Sequence, residues 1–241
     1  MTSVLMTNVK HYVGPGALPI LLREGMTAFC HDTSFEDAGA AGLFEDAYPG
    51  AVALRAQTPD AIGKELRERG ADVELLVSND VFPNTPLPIE DIPIDNVRDS
   101  FEALLLFPFR LTQILLPVMK RNNRGRFVFI TSARYLQPEA GFSVATSIRE
   151  GTTAFALALA KETAPFGIPV NVKAPNYLYS EAYYPRAKFI DDPEGREQIA
   201  AIVPMGRLGE PEEAGELVAF LASGRAKFMT GQVINFTGGW P

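Results

Sequence analysis

Short, continuously apolar runs alternate with helical stretches along the whole chain, and this alternation most constrains the fold. Strands are predicted at residues 4–6, 26–30, 73–77, 126–130, 169–172 and 232–236, with helices at 17–23, 58–69, 97–121 and 145–162. Strands without an alternating polar face are typical of a parallel sheet that helices cover on both sides. The pattern therefore predicts an α/β protein with a single doubly wound, Rossmann-like parallel sheet.

Composition limits the function classes. The 241 residues suit one α/β domain spanning residues 1–241, and the net charge of −7 argues against nucleic acid or an anionic membrane as partner. One cysteine, Cys30, and two histidines are too few for a disulfide or a Cys/His metal centre, so no metal is expected. No signal peptide is recognisable and no apolar segment approaches a bilayer-spanning length. We expect a cytoplasmic protein.

The turn after the first strand bears on cofactor binding. Dinucleotide-binding folds place glycines there, in short-chain dehydrogenases as T-G-x-x-x-G-x-G, so that the backbone can approach the pyrophosphate. The same register here gives Thr7, Asn8, Tyr12 and Gly14. A tyrosine side chain cannot share the volume of a pyrophosphate, so no cofactor is predicted. Asp32, after the second strand, is either a ribose-binding acid or a capping acid, and capping is favoured.

Several segments together resemble one family. They are TNVKHYVGPG from Thr7, LLVSNDVF from Leu75, FVFITSA from Phe127, APNYLYSE from Ala174 and TGQVINFTGGW from Thr230. They resemble halohydrin dehalogenases, which are cofactor-free relatives of the short-chain dehydrogenases. The resemblance implies a lyase that converts vicinal haloalcohols to epoxides, releases halide, and opens epoxides with small anions in reverse. Haloalcohols, epoxides, halide and other small anions are the implied partners.

The resemblance also implies catalytic residues. The family uses a serine, a tyrosine thirteen residues later and an arginine four residues after that; here these positions hold Ser132, Ala145 and Arg149. The serine holds the substrate oxygen, the tyrosine removes the hydroxyl proton, and the arginine favours the phenolate. Asp80 resembles the acid that supports the arginine, with helix capping as the alternative. The methyl group of Ala145 cannot carry a proton.

Three explanations of Ala145 stay open at this point. The alanine could be an engineered replacement, a natural divergence with lost or altered activity, or a change compensated by another base. Candidates for such a base are Tyr135, Ser143 and Tyr184. A loss of the base would make the chain an impaired or inactive member of the family.

The resemblance places halide and substrate in one pocket. The halide-binding loop of the family corresponds to Pro175, Asn176, Tyr177 and Leu178, faced by Tyr12 from the first turn. A halide needs a desolvated pocket with N–H donors and aromatic edges. Phe82, Tyr183 and Tyr184 either form the wall of the substrate pocket or pack within their loops.

The sequence also leaves two alternative functions open and predicts an oligomeric state. An NAD(P)-dependent short-chain oxidoreductase would need a Y-x-x-x-K pair, where this chain has Ala145 and Arg149. A non-catalytic protein of the same fold could still bind anions or epoxides. We also predict a homotetramer, in which helices 97–121 and 145–162 pair with their two-fold copies.

Overall fold

Within residues 2–83 and 85–241, which this computed structural model of the chain describes, seven parallel strands form one sheet. They are β1 (Ser3–Met6), β2 (Thr27–His31), β3 (Ala51–Leu54), β4 (Leu75–Ser78), β5 (Arg126–Ile130), β6 (Val170–Pro175) and β7 (Val233–Phe236). Their order is β3-β2-β1-β4-β5-β6-β7. The doubly wound fold is confirmed, but the sequence prediction missed β3, a four-residue edge strand containing two alanines that carries little strand signal.

Helices cover both faces of the sheet. They are α1 (Gly14–Arg23), α2 (Ala38–Ala47), α3 (Pro59–Glu68), α4 (Ile94–Phe101), α5 (Phe107–Asn122), α6 (Ser143–Thr163), α7 (Arg186–Phe189), α8 (Pro193–Ile202) and α9 (Pro211–Ser223). Buried residues of α1, α2 and α9 form the core on one face, and those of α3, α5, α6 and α8 form the core on the other. A Cβ at Gly16 of α1 would lie 1.9 Å from the Pro211 carbonyl oxygen. Glycine therefore allows α1 and α9 to pack closely.

The order in which the strands are added to the sheet reverses beside β1, which pairs with both β2 and β4. Open α/β sheets bind ligands outside the carboxyl ends of the strands at such a switch point. The segments that leave β1, β4, β5 and β6 on this side contain Tyr12, Asp80, Ser132 and Asn176, respectively. The fold therefore brings residues from distant parts of the chain to one edge of the sheet.

The predicted helix 97–121 is longer in the structure and is not uniform. A π-helical turn, Glu102–Leu106, joins α4 to α5. By length and composition alone the 29 residues Ile94–Asn122 could cross a membrane. In this fold they pack against α3 and α6, and Arg110 of α5 pairs with Asp60 of α3. Large apolar side chains nevertheless stay exposed along this stretch: Ile94, Phe101, Leu106 and Phe109.

Candidate functional site

The turn after β1 keeps a glycine-like backbone at two positions that have lost glycine. Asn8 has a φ of 45° and Tyr12 a φ of 54°, which is the left-handed region that side chains other than glycine rarely adopt. These are the positions at which a dinucleotide-binding turn has its first two glycines. The third glycine, Gly14, is retained because a Cβ there would lie 2.1 Å from the Val9 carbonyl oxygen.

The residues of this turn do not fit a nicotinamide dinucleotide. The Tyr12 ring packs edge-on against Tyr183, with ring centroids 5.4 Å apart, and lines the same cavity as Ser132 and Arg149. A nicotinamide reaching that cavity from the turn would have to pass through this ring. Asp32, the possible ribose acid, accepts hydrogen bonds from the Ser34 N–H and hydroxyl. It therefore acts as the capping acid that the sequence favoured.

Ser132, Ala145 and Arg149 surround one small cavity, about 60 Å³ in volume. Ser132 follows the end of β5, whereas Ala145 and Arg149 lie one turn apart on α6, so both face the same side of the helix. The remaining lining residues are Tyr12, Phe82, Leu104, Thr131, Arg134, Thr146, Pro175, Asn176, Tyr183 and Tyr184. The volume suits a ligand of only a few non-hydrogen atoms.

Arg149 is buried and held from two directions. Its Nη1 donates to the Ile130 carbonyl oxygen at 3.1 Å, and its Nη2 lies 3.5 Å from the Tyr183 hydroxyl oxygen. The guanidinium thus has a fixed position beside the cavity. Tyr183 had been predicted only as a possible wall, and nothing in the local sequence indicated its contact with Arg149, 34 residues away.

Asp80 is buried and close enough to Arg149 for their charges to interact. Among the described residues, no ion pair joins it to Arg149, and it caps none of the helices. Instead it accepts hydrogen bonds from the Ser78 hydroxyl and the Asn8 amide. Burial raises the pKa of Asp80, which the hydrogen bond from Ser78 opposes, as does the charge of Arg149. Asp80 therefore interacts with Arg149 through charge and without a direct hydrogen bond, and its support of the arginine stays a prediction.

Two of the four residues of the predicted halide-binding loop line the cavity, and the other two pack elsewhere. Pro175 and Asn176 line the cavity. The Tyr177 side chain instead packs against Trp240, with ring centroids 5.4 Å apart, and Leu178 is buried in the core. Tyr177 has a φ of 52°, which turns the chain away from the cavity after Asn176. The side chains of Tyr177 and Leu178 are thus not part of the cavity wall, and the halide-binding role of the loop stays a prediction.

Aromatic residues from two loops form the opposite wall. Phe82, Tyr183 and Tyr184 all line the cavity. Tyr184 also packs within its loop, with its ring centroid 5.4 Å from that of Phe189 and 5.5 Å from that of Tyr177. The Tyr183 hydroxyl donates to the Phe82 carbonyl oxygen at 3.3 Å, and the Tyr184 hydroxyl donates to Asn176 Oδ1 at 3.3 Å. The loop 176–192 contains the short helix α7 and presents both tyrosines.

The three candidates for a substitute base differ in whether they line the cavity. Tyr135 and Ser143 are not among the residues that line the cavity. Tyr184 does line it, but burial raises the pKa of its phenol, so it is a poor proton acceptor near neutral pH. Sequence reasoning also missed Arg134 and Thr146 in the lining. Their positions, two residues after Ser132 and one after Ala145, could have indicated them.

Comparisons with known proteins divide between two activities. A family model described as enoyl-(acyl carrier protein) reductase matches residues 32–241. A solved structure described as halohydrin dehalogenase HheC bound to ethyl (2S)-oxiran-2-ylacetate is 37% identical, with a TM-score of 0.96 over 100% of this chain and 97% of that one. Another, described as a dehalogenation enzyme, is 36% identical, with a TM-score of 0.93 over 100% of this chain and 98% of that one. The 3-oxoacyl-[acyl-carrier-protein] reductase FabG of Escherichia coli (strain K12) is 29% identical over 238 residues, which are 98% of this chain and 95% of that protein.

Proposed function

We propose that this chain, which belongs to the short-chain dehydrogenase/reductase superfamily and to the halohydrin dehalogenase family within it, interconverts vicinal haloalcohols and epoxides. One observation carries the proposal. The residues at the switch point form a small cavity around Ser132 and Arg149, and the Tyr12 ring lies where a dinucleotide would have to enter. Such a site can bind a small alcohol without a nicotinamide. This favours lyase chemistry over the reductase chemistry of the FabG relatives.

Ser132 would hold the reacting oxygen. Its side chain lines the cavity at the end of β5, and its Oγ accepts a hydrogen bond from the Arg134 N–H at 3.2 Å. The Ser132 hydroxyl hydrogen is therefore available to the substrate oxygen. In the forward reaction that oxygen loses its proton and attacks the neighbouring carbon, the carbon–halogen bond breaks, and epoxide, halide and a proton result.

The leaving halide would meet donors and aromatic edges rather than carboxylates. Pro175 and Asn176 form one side of the cavity and Tyr12 another. Asn176 Nδ2 is buried and has no acceptor among the described residues. An N–H group without an acceptor and the positive edge of an aromatic ring both stabilise a desolvated anion. This supports halide, or a small anion in the reverse reaction, as a ligand.

The site lacks the family's residue for removing the proton from the substrate hydroxyl. Ala145 has no group that accepts a proton, and a positioned general base contributes roughly 10²–10⁴-fold to rate. Among the described residues, Tyr183 is the phenol in contact with Arg149. Tyr183 is therefore our candidate for the residual base, and we expect turnover well below that of a complete triad.

The test is halide release from short vicinal bromoalcohols, compared with a Ser132→Ala variant of the same chain. Release that exceeds the buffer rate and falls to it in Ser132→Ala supports the lyase. In parallel, NADH is titrated and followed by its fluorescence. Saturable NADH binding, together with ketone-dependent NADH oxidation and no halide release, would instead establish the oxidoreductase alternative.

Ala145 itself favours a second candidate, a member of the family that binds small anions or epoxides without turning them over. The cavity, Ser132 and Arg149 would then form a binding site only. Saturable binding of bromide or an epoxide, without halide release or epoxide opening over hours, would distinguish this function from the lyase.

A further inference from the structure

Three buried side-chain atoms on residues that line the cavity have no hydrogen-bond partner among the described residues. They are Nη1 of Arg134, Nδ2 of Asn176 and Oγ1 of Thr146. Buried polar groups are nearly always hydrogen-bonded, so each unpaired group calls for an explanation. Three donors around one cavity indicate a ligand with several acceptor lone pairs. The lyase reaction accounts for the substrate hydroxyl and the halide, but it does not require a second guanidinium beside Arg149.

Arg134 is held at the cavity by packing. Its guanidinium lies over the Phe142 ring, 3.8 Å from the centroid, and its side chain is 16% exposed. Its nearest carboxylate is Glu139, whose Oε2 lies 3.7 Å from Nη1, beyond hydrogen-bonding distance, on a side chain that is 39% exposed. Arg134 thus forms an ion pair with Glu139 that is too long for a hydrogen bond, and its Nη1 has no hydrogen-bond acceptor among the described residues.

The orientation of Asn176 follows from its neighbours. The Tyr177 backbone N–H and the Tyr184 hydroxyl both donate to Oδ1, at 3.0 and 3.3 Å. An N–H can donate only to the oxygen of the amide, so this oxygen is identified and Nδ2 is the unpaired atom. Because the proposed lyase already uses this amide for the halide, the carboxylate is left to Arg134.

From this geometry we propose that the cavity selects substrates that carry a carboxylate, with Arg134 as the residue that binds it. The substrate class is short halohydroxy acids and the corresponding epoxy acids, rather than their neutral esters. Guanidinium and carboxylate match in charge and in donor–acceptor geometry. The small cavity volume, about 60 Å³, restricts the carbon chain to a few atoms. This specificity rests on the proposed lyase function.

Binding of an unreactive analogue tests the specificity apart from catalysis. Calorimetry compares β-hydroxybutyrate, which has no leaving group, with its methyl ester, on the full chain. We expect the acid to bind about 10- to 100-fold more tightly than the ester, the range of a charge-assisted hydrogen bond. Arg134→Met should remove this preference, because it weakens binding of the acid far more than binding of the ester. Arg134→Lys should restore part of it, because it keeps the charge but loses the planar fork.

Two further variants give matched controls. Glu139→Gln removes the competing carboxylate and should tighten binding of the acid. Arg98→Met removes the same charge from an exposed site on α4, where Arg98 pairs with Asp95, and should leave both affinities unchanged. Equal binding of acid and ester by the unmodified chain would overturn the proposal, as would a preference that survives Arg134→Met. A chain that prefers the acid but never releases halide would refute the lyase and leave the carboxylate site standing.

Discussion

The Tyr183 hydroxyl oxygen lies 3.5 Å from Nη2 of Arg149 and donates a hydrogen bond to the Phe82 carbonyl oxygen, 3.3 Å away. The triad of the family has its phenol one helical turn before the arginine, where this chain has Ala145. Here a phenol from the loop after β6 contacts the same arginine. A guanidinium beside a phenol oxygen stabilises negative charge on that oxygen. The contact thus offers a second route for proton removal.

Replacing Tyr183 tests this route. Tyr183→Phe keeps the ring that packs on Tyr12 and removes the hydroxyl. Halide release by this variant, with Ala145 left unchanged, should be about 10²-fold slower than that of the unmodified chain. Tyr179→Phe is the matched control, because the Tyr179 hydroxyl donates to the exposed Glu181 in the same loop. Unchanged halide release in Tyr183→Phe would mean that another group removes the proton.

Restoring the missing phenol is the most direct test of the catalytic frame. Ala145→Tyr should raise kcat/KM for short vicinal bromoalcohols by about 10²–10⁴-fold, because it places a proton acceptor between Ser132 and Arg149. The matched control is Ala145→Phe, which adds nearly the same volume without the hydroxyl. The gain should disappear when Arg149→Ala is added. If a folded Ala145→Tyr variant is no faster than Ala145→Phe, the assignment of these three positions is wrong.

Lys173 makes stability depend on pH. It is fully buried on β6, its amine has no hydrogen-bond partner among the described residues, and burial lowers its pKa from 10.5 to about 7. Between about pH 7 and 10.5 the unfolded chain binds this proton and the folded chain does not, so the free energy of unfolding rises with pH across this window, by roughly 4–5 kcal/mol. Below about pH 7 both states are protonated and the dependence ends.

Lys173→Met is the corresponding variant. It should be more stable than the unmodified chain at pH 7, by up to several kcal/mol (roughly 1.4 per pKa unit), and should lose most of the rise with pH. Urea unfolding at pH 7, 8 and 9 measures both effects. Lys64→Met removes the same charge from an exposed position on α3 and serves as the control. Equal slopes in Lys173→Met and the unmodified chain would show that the amine stays charged in the folded state.

Exposed apolar residues on α4, α5 and the π-helical turn between them support the proposed tetramer. Phe101 and Leu106 are 41% and 40% exposed, and an apolar stripe of this kind is typical of a subunit interface. Light scattering should give a mass about four times the 26.3 kDa of the chain. Phe101→Glu should lower this mass, whereas Leu43→Glu, an exposed position on α2, should not. A mass of one chain for the unmodified protein would refute the assembly.

Local sequence pattern was sufficient to predict properties that do not depend on long-range packing. Apolar runs predicted six of the strands because a strand buried on both faces must be apolar along its length. Tyr12 at a glycine position predicted that no dinucleotide binds, because a ring and a pyrophosphate cannot share one volume. The spacing of Ala145 and Arg149 placed both on one face of a helix because four residues complete about one turn.

Which groups meet across the chain depends instead on the three-dimensional fold. Tyr183 contacts Arg149, the Tyr177 and Leu178 side chains turn into the core, and Asp80 binds Ser78 rather than Arg149. The lack of an acceptor for Nη1 of Arg134 among the described residues likewise follows from where Phe142 and Glu139 pack. Such contacts depend on the conformations of the loops that follow different strands and meet at the switch point. Their distances and directions are set by packing between segments far apart in the chain, to which no local pattern corresponds.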